Sequence, residues 1–245
     1  MLFGPPLERY CPHCGTLHEI PTLASGNGFS SLLWSDGFLH SPHWMDSPRL
    51  LQCAVCARAM WVDDMPEAEG TQEQEADWTD TRTGPGPAHA SFPEVRQLAR
   101  FIDEGVYRTA GEERYLRQRL WWALNHPART QGRWWDRPEP VFTGAAFEAL
   151  FAANAEALHR LLADEEADRD ALLMRAELMR EQGRFADCLA LLDQVTAPDR
   201  AHVVETLRRA CASQQREVLP IPDPPPPPIA ERPRRVPWWR RLWTR

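Results

Sequence analysis

Two pairs of cysteines are the residues of this sequence best suited to chemistry. Cys11 and Cys14 form the first pair, and Cys53 and Cys56 form the second, each with two residues between them. Two CxxC turns supply four thiolates, the ligand set of a closed tetrahedral metal site, and zinc is the usual ion in such a site. Four protein ligands leave no open position for a substrate. The sequence therefore predicts structural Zn²⁺ and no catalytic residue.

Two other interpretations of this segment stay open. Each CxxC pair is also typical of a redox motif, although the pattern of a thioredoxin-like βαβ unit is missing around both pairs. One of four nearby histidines could replace a cysteine as ligand: His13, His18, His40 or His43. Because four thiolates are already present, we expect the histidines to lie at the surface or beside the ligands.

Length, cysteine content and hydropathy limit the class of protein to which this chain can belong. The 245 residues suffice for two modest domains with linkers. The N-terminal residues have no apolar core of a signal peptide, and every long apolar run is interrupted by Arg, Glu or Pro. We therefore expect a cytoplasmic protein with reduced cysteines, which contacts a membrane only peripherally, at the inner face.

Charge is distributed unevenly along the chain, which has a net charge of −7. Residues 63–92 carry eight acidic residues and one arginine, whereas residues 220–245 carry six arginines and two acidic residues. The cysteine-bearing segment lacks the concentrated positive charge that neutralises phosphates, so nucleic acid is disfavoured as a partner. A local excess of arginine at 114–133 is the feature that favours nucleic acid as an alternative partner.

The cysteine pairs lie in a segment with the pattern of short β-strands, residues 1–65. Strand-like runs follow both pairs, at Leu17–Leu23 and Met60–Val62. The dipeptides Asn27-Gly28 and Asp36-Gly37 predict hairpin turns. The 38 residues between the two pairs exceed the usual interval of a zinc ribbon, so we expect an inserted β-meander there.

Acidic and Gly/Pro-rich residues predict a flexible linker over 66–92, and helical periodicity follows it. Ser91 and Thr109, each with a glutamate three residues later, predict the starts of two helices, and Pro127 predicts the end of the second. Four more helices follow, so residues 93–215 form a predicted helical-hairpin domain.

Apolar and aromatic residues of this helical region are expected in its core. Cys188 and Cys211 lie on the apolar faces of predicted helices, where we expect buried, inert thiols. Adjacent tryptophans point about 100° apart on a helix, so one residue of Trp121-Trp122 is expected in the core and the other at its edge.

The C-terminal part has the composition of a tether and a docking element. Pro224–Pro228 predict an extended spacer within residues 216–237. Residues 238–245 form a basic aromatic tail. Candidate residues for docking to a membrane or a partner are Trp238, Trp239, Arg240, Arg241 and Trp243.

Two resemblances add to these patterns. Residues 1–65, with Ser25-Gly26-Asn27 and Trp34-Ser35-Asp36-Gly37, resemble the N-terminal zinc ribbon of uncharacterised bacterial proteins. The helical region is similar in spacing to one tetratricopeptide repeat (TPR) at Leu172, Ala176, Met179, Gly183, Phe185, Cys188, Leu192 and Val195. The second resemblance implies a helical domain that binds another protein.

We therefore predict an α+β protein with a small antiparallel zinc-ribbon domain followed by a mainly α-helical, TPR-like domain. Its predicted function is that of a non-catalytic, zinc-binding scaffold or adaptor with a protein partner. Two alternatives are a zinc-ribbon factor associated with nucleic acid or ribonucleoprotein, and a peripheral protein that docks to a membrane surface through its Trp/Arg tail.

Overall fold

A computed structural model describes residues 2–44, 47–68, 88–89, 91–129, 144–164 and 169–222. Most of the predicted linker lies outside these ranges, as does the predicted tether beyond Pro222. The tail residues also lie outside the described part: Trp238, Trp239, Arg240, Arg241 and Trp243. The described residues form a mixed α+β structure, with short strands first and helices after them.

The N-terminal segment consists of short strand pairs. In chain order the strands of the described residues are β1 Leu2–Tyr10, β2 Leu17–Ser25, β3 Leu32–Leu33, β4 Leu39–His40, β5 Leu50–Gln52, β6 Ala59–Trp61 and β7 Ala88–His89. The pairs β1–β2, β3–β4 and β5–β6 are antiparallel, as predicted. Strand β7 is the exception, because it runs parallel to β2.

Helices form the remainder of the described chain. In order they are α1 Val95–Asp103, α2 Ala110–Arg129, α3 Ala145–Ala163, α4 Arg169–Glu181, α5 Phe185–Leu192 and α6 Ala201–Ala212. Each helix packs against the next one along the chain, as expected for an array of helical hairpins.

Two predicted turns have different outcomes. Asp36-Gly37 lies in the turn between β3 and β4, with Gly37 at φ +78°, and this hairpin is confirmed. The hairpin at Asn27-Gly28 is wrong, because β2 and β3 on either side of it do not pair. The Asn27 amide instead donates to the His43 carbonyl oxygen at 3.3 Å, which folds the loop onto a distant part of the chain.

Two predicted helix ends are also wrong. Ser91 does not cap α1, because it exchanges backbone hydrogen bonds of 3.0 and 3.3 Å with Gln52. Pro127 does not end α2, which continues to Arg129. The start of α2 is confirmed, since the Thr109 hydroxyl accepts a hydrogen bond from the helix at 3.1 Å.

Strands β5 and β6 contribute to two apolar cores at once. Alternate side chains of a strand point to opposite faces. Leu50 and Trp61 pack against α1 and α2, and Leu51 and Met60 pack with the buried cysteines of the N-terminal segment. The Trp61 indole also donates to the Val106 carbonyl oxygen at 2.7 Å. The β5–β6 hairpin therefore lies between the core of the strand segment and the core that it shares with α1 and α2.

A cluster of buried polar side chains provides a second connection. This polar junction comprises Ser35, Asp36, Asn125, Arg129, Glu177, Arg180 and Glu181. Asp36 forms an ion pair with Arg129 at the end of α2 and accepts a hydrogen bond from Asn125 Nδ2 at 3.1 Å. The Trp122 indole donates to the Asp36 carbonyl oxygen at 3.0 Å. Three polar contacts thus hold the β3–β4 turn on α2.

The last described residues of the chain cover the same junction. Arg180 forms an ion pair with Glu177 at 2.6 Å and donates to the Glu217 carbonyl oxygen at 2.9 Å. The Ser35 hydroxyl donates to Glu177 at 2.5 Å and accepts from the Leu219 amide at 2.9 Å. The start of the predicted tether therefore packs against both the β-segment and α4.

Glu181 completes the polar junction. Its carboxyl oxygens accept hydrogen bonds from the Trp121 indole at 2.6 Å and from Asn125 at 3.0 Å. Burial raises the pKa of Glu181 well above its usual value, and the nearby carboxylates of Glu177 and Asp36 raise it further. The raised pKa favours the neutral form of Glu181 more than in an exposed glutamate, because burial and the neighbouring acidic groups both disfavour a further negative charge.

Replacement of Asp36 by alanine tests the importance of the polar junction. Arg129 would then be buried without its carboxylate, and we expect the free energy of unfolding to fall by about 3–5 kcal/mol. Urea denaturation followed by circular dichroism measures this change. Asp187→Ala is the control, because the Asp187–Arg184 pair is exposed and its loss costs about 0.2–1 kcal/mol. If Asp36→Ala and Asp187→Ala both lowered the free energy of unfolding by a similarly small amount, the stabilising role of the polar junction would be contradicted.

Candidate metal centre

The structure brings the four predicted ligands together from two hairpin loops. Cys11 and Cys14 lie between β1 and β2, and Cys53 and Cys56 lie between β5 and β6. Their four Sγ atoms all lie within 4.8 Å of one another. The paired strands of each hairpin fix the two ends of its loop.

Two of the sulfur–sulfur distances match those of a tetrahedral site. Cys11 Sγ lies 3.8 Å from Cys56 Sγ, and Cys14 Sγ lies 3.6 Å from Cys53 Sγ. Four sulfurs placed about 2.3 Å from a central ion would be about 3.8 Å apart in an ideal tetrahedron. The four cysteines are reduced rather than paired as disulfides. Their number, chemistry and spacing therefore suit one metal ion.

The two loops share the same backbone hydrogen bonds, and we name them the first knuckle, Cys11–Thr16, and the second knuckle, Cys53–Arg58. In each knuckle the amide of the first cysteine donates to the carbonyl oxygen of the sixth residue, at 2.8 Å in the first knuckle and 2.9 Å in the second. The amide of the fifth residue donates to the carbonyl oxygen of the first cysteine, at 2.9 and 3.0 Å. The fifth residue has a positive φ in each, +71° at Gly15 and +56° at Ala57.

Backbone amides point at the sulfurs of the two buried cysteines. The His13 amide donates to Cys11 Sγ at 3.4 Å. The Val55 and Cys56 amides donate to Cys53 Sγ, both at 3.4 Å. Hydrogen bonds of this kind favour the thiolate form of a cysteine, which is the form that binds a metal.

The cysteines of the first knuckle differ in exposure and in pKa. Burial raises the pKa of the Cys11 thiol to about 12. Cys14 is exposed, and hydrogen bonds from the hydroxyl and amide of Thr16 lower its pKa to about 6. The buried thiol therefore needs a nearby positive charge before it loses its proton at neutral pH. A bound metal ion supplies that charge.

Histidine is not part of the sulfur cluster, whose members are all cysteines. His40 and His43 are exposed, and the His13 ring lies 2.9 Å from the Ala59 carbonyl oxygen instead of facing the sulfurs. His18 is fully buried beside the cluster, with Nε2 3.3 Å from Cys53 Sγ. The expectation that histidines lie at the surface or beside the ligands is confirmed.

The His18 ring also contacts the chain that leads into the helices. Its Nδ1 atom donates to the Ala88 carbonyl oxygen at 3.2 Å. One ring thus bridges a candidate metal ligand and strand β7. The sequence signal for this role is weak: His18 is the second residue of a strand that follows a CxxC pair.

The other cysteines and the paired tryptophans lie away from the cluster. Cys188 and Cys211 are buried between α5 and α6 with Sγ atoms 3.2 Å apart, and burial raises the pKa of Cys188. Trp121 is fully buried and Trp122 is partly exposed, as predicted for adjacent residues of one helix. Both tryptophans donate to groups of the polar junction, so their indoles are already engaged.

Sequence patterns did not reveal the carboxylates of the polar junction. Glu177 and Glu181 lie one helical turn apart on α4, and Arg180 lies between them. Such a pattern is typical of an exposed helix face. The signal that points to burial is the apolar character of α4 on its other faces, with Ala176, Leu178 and Met179 also buried.

Comparisons with known proteins give no match. Neither the family models nor the curated proteins nor the solved structures match this chain. The likeness to zinc ribbons and to tetratricopeptide repeats therefore remains a prediction from the sequence.

Membrane insertion through a helix finds no support in the described part of the chain. Each helix there is too short or too polar to cross a bilayer. The tail proposed for peripheral docking lies outside the described residues.

A reciprocal pair of substitutions tests the geometry of the knuckles. Ala57 has a conformation that costs an L-residue about 1–2 kcal/mol, whereas Gly15 adopts its counterpart freely. We expect Ala57→Gly to raise the free energy of unfolding of the metal-loaded protein by about 1 kcal/mol. Gly15→Ala should lower it by a similar amount, since no heavy atom lies within 4 Å of the added methyl group.

Denaturation with guanidinium at a fixed excess of zinc measures both changes. The two variants test one backbone conformation in opposite directions. Destabilisation by Ala57→Gly, or an unchanged stability in Gly15→Ala, would contradict the equivalence of the two knuckles.

Proposed function

We propose that this protein is a non-catalytic, zinc-binding adaptor. The observation that carries the proposal is the set of four cysteine sulfurs within 4.8 Å of one another. Four thiolates in a tetrahedral arrangement favour zinc, and a site whose four positions are all taken by protein has a structural role. Zinc would be held by Cys11, Cys14, Cys53 and Cys56, and it would stabilise the N-terminal segment as in a zinc ribbon.

Repetition of the same backbone geometry supports the zinc-ribbon interpretation. Both knuckles connect antiparallel strands, and both orient backbone amides towards a buried sulfur. A pair of such loops clamps one ion from two sides. The alternative of two separate redox motifs requires each CxxC pair to react alone, whereas these pairs face each other.

The adaptor role is supported by how the metal-bearing segment is attached to the helices. Shared apolar packing at Leu50 and Trp61 and the ion pair between Asp36 and Arg129 fix the β-segment on α1 and α2. Helical hairpins on such a base present grooves and faces of constant shape. Surfaces of this kind suit a folded or peptide-like protein partner.

Arginines of α2 support a nucleic-acid partner less well. Arg117 forms an ion pair with Glu113 at 2.7 Å, and Arg129 is buried against Asp36. Arg119 packs over the ring of Trp122, with its guanidinium carbon 5.7 Å from the ring centre. Arginines engaged within the protein contribute little to the phosphate contacts on which nucleic-acid affinity depends.

Metal analysis tests the zinc part of the proposal. We expect protein purified without chelator to contain one zinc ion per chain, measured by inductively coupled plasma mass spectrometry. Cys53→Ser should lose the ion and unfold the N-terminal segment, because three thiolates bind zinc less tightly than four. Cys188→Ala is the matched control and should retain one zinc ion. Zinc well below one per chain in the wild type would contradict the proposal.

Affinity purification from native extract tests the adaptor part. We expect the tagged full chain to enrich a defined protein at a fixed ratio, and nuclease treatment of the extract should leave that ratio unchanged. The Cys188→Ala variant should behave as the wild type. Loss of the enriched protein after nuclease treatment would support the nucleic-acid alternative instead, and retention on anionic vesicles alone would support the membrane alternative.

A further inference from the structure

The second knuckle belongs to the metal centre and also forms a contact with helix α1. Ala57 directly follows the ligand Cys56, and its carbonyl oxygen accepts a hydrogen bond from Arg100 at 2.6 Å. Gln52 Nε2 donates to the same oxygen at 3.2 Å. One backbone carbonyl of the knuckle thus receives a charged donor from α1 and a neutral donor from β5.

Arg100 is oriented for this contact by its neighbours on α1. Its guanidinium lies 4.9 Å from the centre of the Phe101 ring and 3.5 Å from the Glu104 carboxylate. Phe101 is fully buried in the core that α1 shares with β5 and β6. The packing of α1 on these strands therefore sets the backbone position of Arg100, whose side chain is partly exposed, and a displacement of α1 would move its guanidinium away from Ala57.

Two further contacts join the metal ligands to the chain just before α1. The backbone of Gln52, which precedes the ligand Cys53, is paired in both directions with Ser91. The His18 ring connects Cys53 Sγ with the Ala88 carbonyl oxygen. The bonds of Arg100, Ser91 and Ala88 thus all come from residues 88–100. They reach the second knuckle or strand β5, in the case of Ala88 through the His18 ring.

Charge favours the Arg100 contact when the site contains zinc. Four thiolates around one divalent ion carry a net charge of about −2, and the second knuckle is part of that anionic centre. A hydrogen bond from a charged donor is stronger than one between neutral groups. The bond from Arg100 to Ala57 is therefore stronger in the loaded protein than in the metal-free protein.

We propose that zinc occupancy and the docking of α1 on the second knuckle are thermodynamically linked, and that Arg100 is the positioning residue that couples them. The inference rests on the proposed zinc site. Zinc orders the second knuckle, which keeps the Ala57 carbonyl in place for Arg100. By linkage, docked α1 raises the affinity for zinc by the same factor by which zinc favours docking.

Zinc affinity of Arg100 variants tests this coupling in the full-length chain. Competition with a chromophoric chelator gives the affinity, and we expect Arg100→Ala to lower it about tenfold, the scale of effects from groups that support metal ligands. Arg100→Lys retains the charge with a single donor and should recover part of the loss. Arg200→Ala is the control, because Arg200 pairs with the exposed Asp170 far from the knuckles and should leave the affinity unchanged.

Cobalt substitution separates positioning from ligation. Arg100 touches none of the sulfurs, so the visible spectrum of the Co²⁺-loaded Arg100→Ala variant should retain the bands of tetrahedral thiolate coordination found in the wild type. A variant with reduced affinity and an unchanged spectrum has lost support for the site without losing a ligand. An altered ligand-field spectrum would overturn the assignment of Arg100 as a positioning residue.

Hydrogen exchange on the wild-type protein tests the linkage without any substitution. Removal of zinc by a chelator should speed amide exchange in α1, from Leu98 to Asp103, by about tenfold, the same factor as the expected change in zinc affinity. Exchange in α5 should change far less, because α5 packs in a separate core. If wild-type protein binds one zinc ion but α1 exchange and the affinity of Arg100→Ala are both unchanged, the coupling is wrong and the zinc site stands. If wild-type protein binds no zinc, the proposed function itself fails.

Discussion

The convergence of four cysteine sulfurs within 4.8 Å of one another is the constraint on which the N-terminal structure depends. In their thiolate forms, sulfurs at this spacing repel one another unless a cation lies between them. The apolar core around them is small, with Ile20, Leu51, Met60 and Met65 as its other buried members. Structural zinc contributes about 10–16 kcal/mol in small domains of this kind. Metal binding would therefore supply stability that apolar burial alone does not.

The same strands that present the second knuckle also complete the interior of the helical region. Leu50 and Trp61 face the helices while Leu51 and Met60 face the sulfurs, so a disturbance of the hairpin reaches both sides. The polar junction adds a second attachment at the other end of the β-segment, around Asp36. Its charges are buried, and their pairing specifies one arrangement of the turn on α2 and α4. Metal site, strands and helices thus form a connected structure.

The sequence was sufficient to predict what depends on local spacing. Each CxxC pair is a short turn with its own geometry, and the two pairs together predicted the cluster of four cysteines that the structure contains. Strand β1 was harder to predict, because Pro5 and Pro6 lie within it and prolines are usual only at the edge of a sheet. The polar junction could not be predicted, because Asp36 and Glu177 are far apart in sequence and only tertiary packing buries them. The continuation of α2 past Pro127 has a similar cause, since buried Arg129 contacts Asp36 from that last turn.

X-ray absorption at the zinc edge reports the atoms bound to the ion, so it tests coordination by four cysteines. We expect four sulfur neighbours at about 2.3 Å and no shell of oxygen or nitrogen. A spectrum fitted by two or three sulfurs with nitrogen or oxygen at about 2.0–2.1 Å would contradict it, since the site would then include a histidine or an open position.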